Sequence, residues 1–350
     1  MSEDSTSLSN QEDYKNQEEL FEHYRFIVDN GQSPVRIDKY LASKIANVSR
    51  NKIQAASDAG NIRVNDTPIK SNYKVKPADV ITILLSFPKI EFELIAEDIP
   101  IEVVYEDNDV LVVNKRAGMV VHPSLGHYQG TLVNALAFHL QGNELFSENN
   151  MRSGLVHRID KDTSGLLVIG KNERALNHLG KQFFEHTARR TYHALVWGNT
   201  AEEKGTITGH IGRHLKDRKI MDVFEDGSYG KHAVTHYQVL DRFGYVTYIE
   251  CKLETGRTHQ IRAHFSHIGH PLFNDSDYGG NQILKGPIFN KYKQFVSNCF
   301  EICPRQALHA KTLGFIHPVT KKEMMFDSLI PKDMQACIDK WRSYSGSFSV

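Results

Sequence analysis

The segment Gly154-Leu155-Val156-His157-Arg158-Ile159-Asp160-Lys161-Asp162-Thr163-Ser164-Gly165-Leu166-Leu167 sets a carboxylate in a polar turn just before an apolar run. Thr163-Ser164-Gly165 is turn chemistry and Leu166 to Ile169 reads as a strand, so Asp160 belongs on a loop carried by rigid structure, where reacting groups concentrate. A lone Asp in such a place ordinarily bonds nearby backbone N–H groups as a turn-former. Asp160 and Asp162 lie two residues apart and could also share a face as the acid/base pair of a glycosidase.

A carboxylate that must stay ionised in a closed pocket needs a cationic partner. Arg262 is the candidate, in Leu253-Glu254-Thr255-Gly256-Arg257-Thr258-His259-Gln260-Ile261-Arg262-Ala263-His264. A helix is expected from Thr258 to Ile268, with Ile261, Phe265 and Ile268 as its buried stripe and Arg262 at the stripe's edge. A third block, Arg190-Thr191-Tyr192-His193-Ala194-Leu195-Val196-Trp197-Gly198, reads as a strand whose Tyr192 would ordinarily be core.

These blocks share a likeness. The first resembles the H-R-L-D-x-x-T-S-G signature of the RluA family of RNA pseudouridine synthases, with Ile159 where the family usually has Leu and Ser153 where it often has Pro. The second is similar to its T-G-R-T-H-Q-I-R block and the third to K-x-Y-x-A-L-V-x-G. Val112-Val113-Asn114-Lys115-Arg116-Ala117-Gly118-Met119-Val120-Val121-His122-Pro123 resembles K-P-x-G-x-x-V-H-P with Arg116 for Pro, and Arg305-Gln306-Ala307-Leu308-His309-Ala310 matches R-Q-A-L-H-A. Phe273-Asn274-Asp275 departs from the usual V-G-D, although Tyr278-Gly279 follows as expected. The layout is nearest to the RluD-like members, which carry an N-terminal RNA-binding module and modify large-subunit ribosomal RNA.

The resemblance implies an isomerase that turns uridine into pseudouridine without a cofactor. Asp160 would be the catalytic carboxylate, with Asp162 left as a turn-former. Arg262 would be its ion-pair partner, and Tyr192 the ring that stacks on the target uracil and assists removal of its C5 proton. Arg158 would fill the gap left by the flipped base or hold adjacent phosphate, with His157, Arg257 and Lys115 as further substrate contacts. An oxocarbenium-like sugar is stabilised by a nearby anion, which is the chemistry such a carboxylate supplies.

The elements that must position these groups read as an α+β protein in two parts. Runs at Ile101 to Tyr105, Asp109 to Asn114, Tyr192 to Trp197, Val234 to Leu240, Val246 to Leu253, Leu308 to Phe315 and Lys322 to Phe326 read as strands. Helices are expected at Thr131 to Leu140, with core candidates Leu132, Leu136 and Phe138, and at about Asn172 to Thr187. No strand-helix alternation recurs, which favours a mostly antiparallel mixed sheet with flanking helices, as in the pseudouridine synthase fold, over a doubly wound fold. This catalytic domain is assigned to residues 101–345, after a linker at 89–100 flanked by Pro88 and Pro100.

Ahead of it, residues 33–88 show Ile37, Tyr40, Leu41 and Ile45 at helical spacing, Ser49 as an N-cap, a helix end at Gly60, and strands at Ile62 to Asn65 and Val80 to Ile83. Arg36-Ile37-Asp38-Lys39-Tyr40-Leu41, Ser49-Arg50-Asn51-Lys52-Ile53 and Gly60-Asn61-Ile62-Arg63-Val64-Asn65 resemble the RNA-binding domain named after ribosomal protein S-four, with Ala78-Asp79 for its usual Gly-Asp. Arg36, Arg50, Lys52 and Arg63 are the phosphate-contact candidates. Formal net charge is +0, yet residues 1–30 hold eight acids against Lys15 and Arg25, and residues 31–90 hold ten Lys or Arg against four acids. Such segregation reads as an acidic, disordered tail over residues 1–30 ahead of a module that meets phosphate.

Other classes are less well served. No apolar run approaches the roughly 18 residues of a membrane span, and the N-terminus lacks a signal-peptide pattern, so a cytoplasmic monomer acting on RNA and no membrane is expected. Cys251, Cys299, Cys303 and Cys337 form no C-x-x-C pair and suit free thiols. His259, His264, His267 and His270 crowd together without the H-x-x-x-H spacing of a helical metal site, so no metal is expected. The rival functions are an RNA-binding ribosome-assembly factor, a transfer RNA pseudouridine synthase, and a hydrolase that releases uracil.

Overall fold

The computed structural model describes residues 21–45, 48–85, 94–123, 127–146, 154–217 and 219–346. The chain divides into two compact units, residues 1–92 and 93–350. No helix among the described residues is long and apolar enough to cross a membrane.

The smaller unit is built from β1 (Phe21–Ile27), α1 (Ile37–Lys44), α2 (Arg50–Asp58), β2 (Ile62–Val64), β3 (Thr67–Pro68) and β4 (Val80–Leu85). Its sheet runs β1-β4-β2-β3, and every pairing is antiparallel. Ile37, Tyr40 and Leu41 of α1 pack on Ile53, Ile62 and Ile81. Ser49 caps α2 by accepting from the Lys52 amide. Asn65 and Asp66 both take positive φ, 49° and 63°, the backbone of a tight type I′ hairpin turn.

Strand β1 falls inside the segment expected to be an acidic tail. Phe21-Glu22-His23-Tyr24-Arg25-Phe26-Ile27 pairs with β4 along its length despite its charges, because an edge strand gains its ladder bonds while one face stays wet. Residues 1–20 lie outside the described residues.

The larger unit opens before its expected start. Leu94, Ile99 and Ile101 pack against its main core, Glu97 takes the Gly130 amide, and Asn134 donates to the Ile95 carbonyl. Residues 94–100 are therefore part of the domain rather than a free connector.

Its elements are β5 (Glu102–Glu106), β6 (Val110–Lys115), α3 (Leu132–His139), β7 (Ser164–Gly170), α4 (Glu173–Phe184), β8 (Arg189–Trp197), β9 (Lys204–Arg213), β10 (Met221–Phe224), β11 (Lys231–Arg242), β12 (Val246–Leu253), α5 (Gln260–His267), α6 (Asn290–Ile302), β13 (Leu308–Ile316), β14 (Glu323–Asp327) and α7 (Lys332–Gly346). The sheet order is β10-β9-β11-β12-β8-β13-β7-β6-β5, with β14 added to β13. The α+β, mixed and mostly antiparallel sheet matches the expectation, and among the described strands only β13 and β7 run parallel.

Both faces of this sheet are covered. Alternate residues of β8 part to either side, Ala194 and Val196 into a core with α3 and α5, Leu195 and Trp197 into another with Tyr292 of α6 and Trp341 of α7. All seven residues of β7 are buried, which is why it reads as a continuous apolar run rather than an alternating one. Phe138 and Ile268, expected in the core, are 40% and 37% exposed because each lies where its helix turns to solvent. All four cysteines are buried free thiols.

Candidate active site

Asp160 stands at the C-terminal side of the 154–163 loop, immediately before β7, with the buried Ile159 anchoring the chain behind it. Its carbonyl accepts the Thr163 amide at 3.1 Å, which closes the turn. That turn is bolted to the far end of the chain. Arg305 donates to the Asp162 carbonyl at 3.0 Å and is itself held by Asp333, and Ser164 Oγ meets His309 Nδ1 at 2.9 Å. Gly165 is required there: its φ is +123°, and a Cβ would lie 2.3 Å from the Ala310 carbonyl oxygen on β13. The T-S-G and R-Q-A-L-H-A blocks are thus two sides of one contact.

Opposite Asp160 lies the β12–α5 turn. Gln260 ties it down, donating to the Val234 carbonyl and accepting from Thr255 Oγ1 and the Arg257 amide. Arg262, one turn into α5, is 4% exposed rather than at a stripe's edge. Its Nη1 donates to Asp160 Oδ2 at 3.2 Å, while Nε and Nη2 form a bidentate pair with Asp275, both at 2.7 Å, and Nη2 also meets Asp277 at 2.7 Å. The guanidinium lies 5.0 Å from the ring centre of Tyr278. Burial works against its charge, but the carboxylates of Asp275, Asp160 and Asp277 outweigh it and raise its pKa, so it stays a cation.

His259, in a left-handed conformation at the start of α5, places Nε2 3.8 Å from Asp160 Oδ1. Burial lowers its pKa, with Asp160 only partly opposing this, so it is a neutral neighbour at physiological pH. Its Nδ1 and Tyr278 Oη lie 3.2 Å apart.

Tyr192 lines the same cleft as Asp160 and Arg262, together with Arg158, Leu253, Arg257 and Leu308. It comes from β8, between β12 and β13, and is buried. Burial raises the pKa of its hydroxyl, so at neutral pH Tyr192 offers a ring and a phenol rather than a phenolate. The cleft therefore combines a carboxyl group, a buried cation beside it, an aromatic ring and two further arginines. Asp162 contributes no side chain to its lining.

Two expected substrate contacts are placed elsewhere. Lys115 is 2% exposed, and its ammonium donates to the carbonyls of Arg116, Met119 and Lys161 at 2.8–2.9 Å, so it laces one loop to the residue after Asp160. Burial lowers its pKa to about 7. His157 accepts the Val168 amide at 3.0 Å and stacks on Phe183, with burial lowering its pKa to about 3. Lys115 spends its three donors on those carbonyls, and His157 keeps only a buried Nδ1 without a hydrogen-bond partner among the described residues; neither lines the Asp160 cleft.

The histidines that crowd in sequence disperse in space. His264 is buried against Thr235, His267 pairs with Glu225, and His270 meets the Trp197 carbonyl. In the small unit, Arg36 and Arg50 both bond the fully buried Asp38 while keeping side chains 42% and 49% exposed. Lys52 is exposed, and Arg63 is half-buried on β2. Asp275, Asp277 and Tyr278 were given no role in the sequence, although Asp275 stands at the last position of the family's V-G-D and Tyr278-Gly279 follows as that block has it.

The model of the RNA pseudouridylate synthase family matches residues 109–267, and that of the S4 domain residues 35–81. An uncharacterized RNA pseudouridine synthase of Chlorobaculum parvum is 46% identical over 89% of this chain and 95% of its own length. The ribosomal large subunit pseudouridine synthase D of Zymomonas mobilis is 41% identical over 86% and 92%. Among solved structures, human RNA pseudouridylate synthase domain containing 1 is similar with a TM-score of 0.50 and 26% identity, covering 69% of this chain and 89% of that one. With the family's motifs folded around one cleft and the relatives matched along nearly their whole length, the chain belongs to the RNA pseudouridine synthases, isomerases that act on RNA, and carries an S4 domain at its N-terminal side.

Proposed function

We propose that this enzyme isomerises uridines of large-subunit ribosomal RNA, with Asp160 as the catalytic carboxylate, Arg262 as its ion-pair partner, and Tyr192 as the stacking surface for the flipped uracil. The observation that carries the reading is the 3.2 Å contact between Asp160 and the buried Arg262 at the wall of a cleft that Tyr192 also lines. In the reaction the N1–C1′ bond breaks, the base turns, a C5–C1′ bond forms, the C5 proton leaves and N1 gains one. Asp160 serves the first step either by adding to the sugar or by taking a ribose proton, and both routes need the ionised carboxylate beside C1′. Tyr192 replaces the stacking that the base loses on leaving its neighbours.

Ribosomal RNA as substrate rests on the relatives named ribosomal large subunit pseudouridine synthase D. The S4 domain, with Lys52, Arg63 and the exposed portions of Arg36 and Arg50, is assigned to phosphate contact, and the enzyme to the cytoplasm as a monomer. Mapping pseudouridines in ribosomal and transfer RNA from cells with and without the gene tests the substrate. Large-subunit positions that vanish in its absence support the assignment, and loss confined to transfer RNA overturns it.

A further inference from the structure

A second cleft opens beside the Asp160 cleft and shares Arg158, Tyr192, Leu253 and Arg257 with it. Its other wall is the C-terminal end of α4 with the turn that follows, contributing Phe183, Phe184 and His186, together with Arg190 of β8. Three features distinguish it from ordinary surface. Phe184 is 84% exposed, a ring that the fold leaves in water while its neighbour Phe183 packs against His157. The lining holds Arg158, Arg190 and Arg257 and no carboxylate. Arg190 makes no ion pair among the described residues: its guanidinium lies 5.1 Å from the Phe183 ring centre, and its Nε is buried without a hydrogen-bond partner.

Opposing chain leaves room for this guanidinium. Gly256 keeps an ordinary negative φ, yet a Cβ there would come within 3.2 Å of Arg190 Nη1. Arg257 spends its Nε on the His232 carbonyl at 3.0 Å, and among the described residues its terminal nitrogens make no hydrogen bond. An exposed ring next to uncompensated guanidinium groups, beside the Asp160 cleft and sharing residues with it, matches the way unpaired nucleic acid is held: base on ring, phosphate on cation.

We propose that this cleft binds the nucleotide adjoining the target uridine, its base stacked on Phe184 and its phosphate between Arg190 and Arg257. The proposal rests on the reading of Asp160 as the reaction centre. It gives α4, which otherwise only covers the sheet, a share in choosing the sequence or shape around the modified position.

The test uses the full chain and an RNA fragment spanning a uridine that it converts, together with two versions made abasic at the 5′ or the 3′ neighbour. Phe184→Ala should lower kcat/KM on the intact fragment by on the order of 10-fold, the usual weight of one stacked base, with the single-turnover rate at saturation unchanged. On the fragment lacking the stacked neighbour the two proteins should be equal. Arg190→Gln should reduce the salt slope of binding by about 0.7, and Arg190→Lys should restore it. Equal kcat/KM for the parent and Phe184→Ala on intact RNA overturns the subsite, as does a loss that persists on both abasic fragments. Asp160→Asn is assayed alongside: conversion by that chain overturns the reading of the reaction centre, independently of what Phe184→Ala does.

Discussion

Arg262 faces Asp160 with only one of its donors, Nη1 at 3.2 Å, while Asp275 grips the other side of the same guanidinium through two contacts of 2.7 Å. The cation is thus positioned by a carboxylate that is itself fully buried, and Asp160 receives the longer contact. A proposed nucleophile or base gains from that arrangement, since it has a cation beside it without being locked against that partner.

Breaking this pair should cost stability as well as turnover. Arg262→Leu strands Asp275 in the interior, and removal of one partner of a buried pair costs about 3–5 kcal/mol. The double variant Arg262→Leu/Asp275→Leu should recover much of that loss and remain inactive. Urea unfolding of both proteins checks the first half, and pseudouridine formation the second.

Tyr192→Phe keeps the ring and removes a hydroxyl that burial holds in its protonated form. RNA affinity should stay within about 2-fold of the parent if, as proposed, stacking rather than the hydroxyl supplies the base contact. Turnover should fall, with a cleaved or rearranged intermediate accumulating, if the phenol passes the C5 proton. Single-turnover assays that resolve the intermediate measure this, and full activity would confine Tyr192 to stacking.

Deleting residues 1–92 should leave a folded, active catalytic unit with weaker RNA binding and a shallower salt dependence, by roughly 0.7 per lost single-strand phosphate contact. Deleting residues 1–100 should instead lower stability, because Leu94 and Ile99 leave the core and Asn134 loses the Ile95 carbonyl. Thermal unfolding separates the two truncations, and titration at several salt concentrations measures the slope.

Ala78 occupies a left-handed backbone position, φ 66°, where the S-four-type domain usually has Gly. Ala78→Gly should stabilise the small unit by about 1 kcal/mol, since the strain removed exceeds the entropy that glycine adds to the unfolded chain. Hydrogen-exchange protection of α1 and α2 reads the effect within that unit.

The parts of this architecture written in local pattern were legible in the sequence. Ser49 caps its helix as expected, β12 spans the expected Val246–Leu253, and the blocks around Asp160, Tyr192 and Arg262 fold into one cleft. What escaped depends on partners distant in the chain. Lys115 reads as a basic residue free for substrate until Arg116, Met119 and Lys161 turn three carbonyls toward it. Asp275 reads as a loop acid until α5 brings Arg262 to it. β1 was hidden by its acidic surroundings, and α6 and α7 by stripes whose partner, the Trp197 face of the sheet, no local window contains.

The central claim is that Asp160 performs the chemistry and that the rest of the cleft binds and positions. Asp160→Asn retains the side chain's size and loses its charge, so the most direct measurement is pseudouridine formed on large-subunit ribosomal RNA in a single turnover, with RNA affinity determined on the same protein. The account predicts no detectable pseudouridine and an affinity close to the parent's. Isomerisation by Asp160→Asn at the parent rate would contradict it.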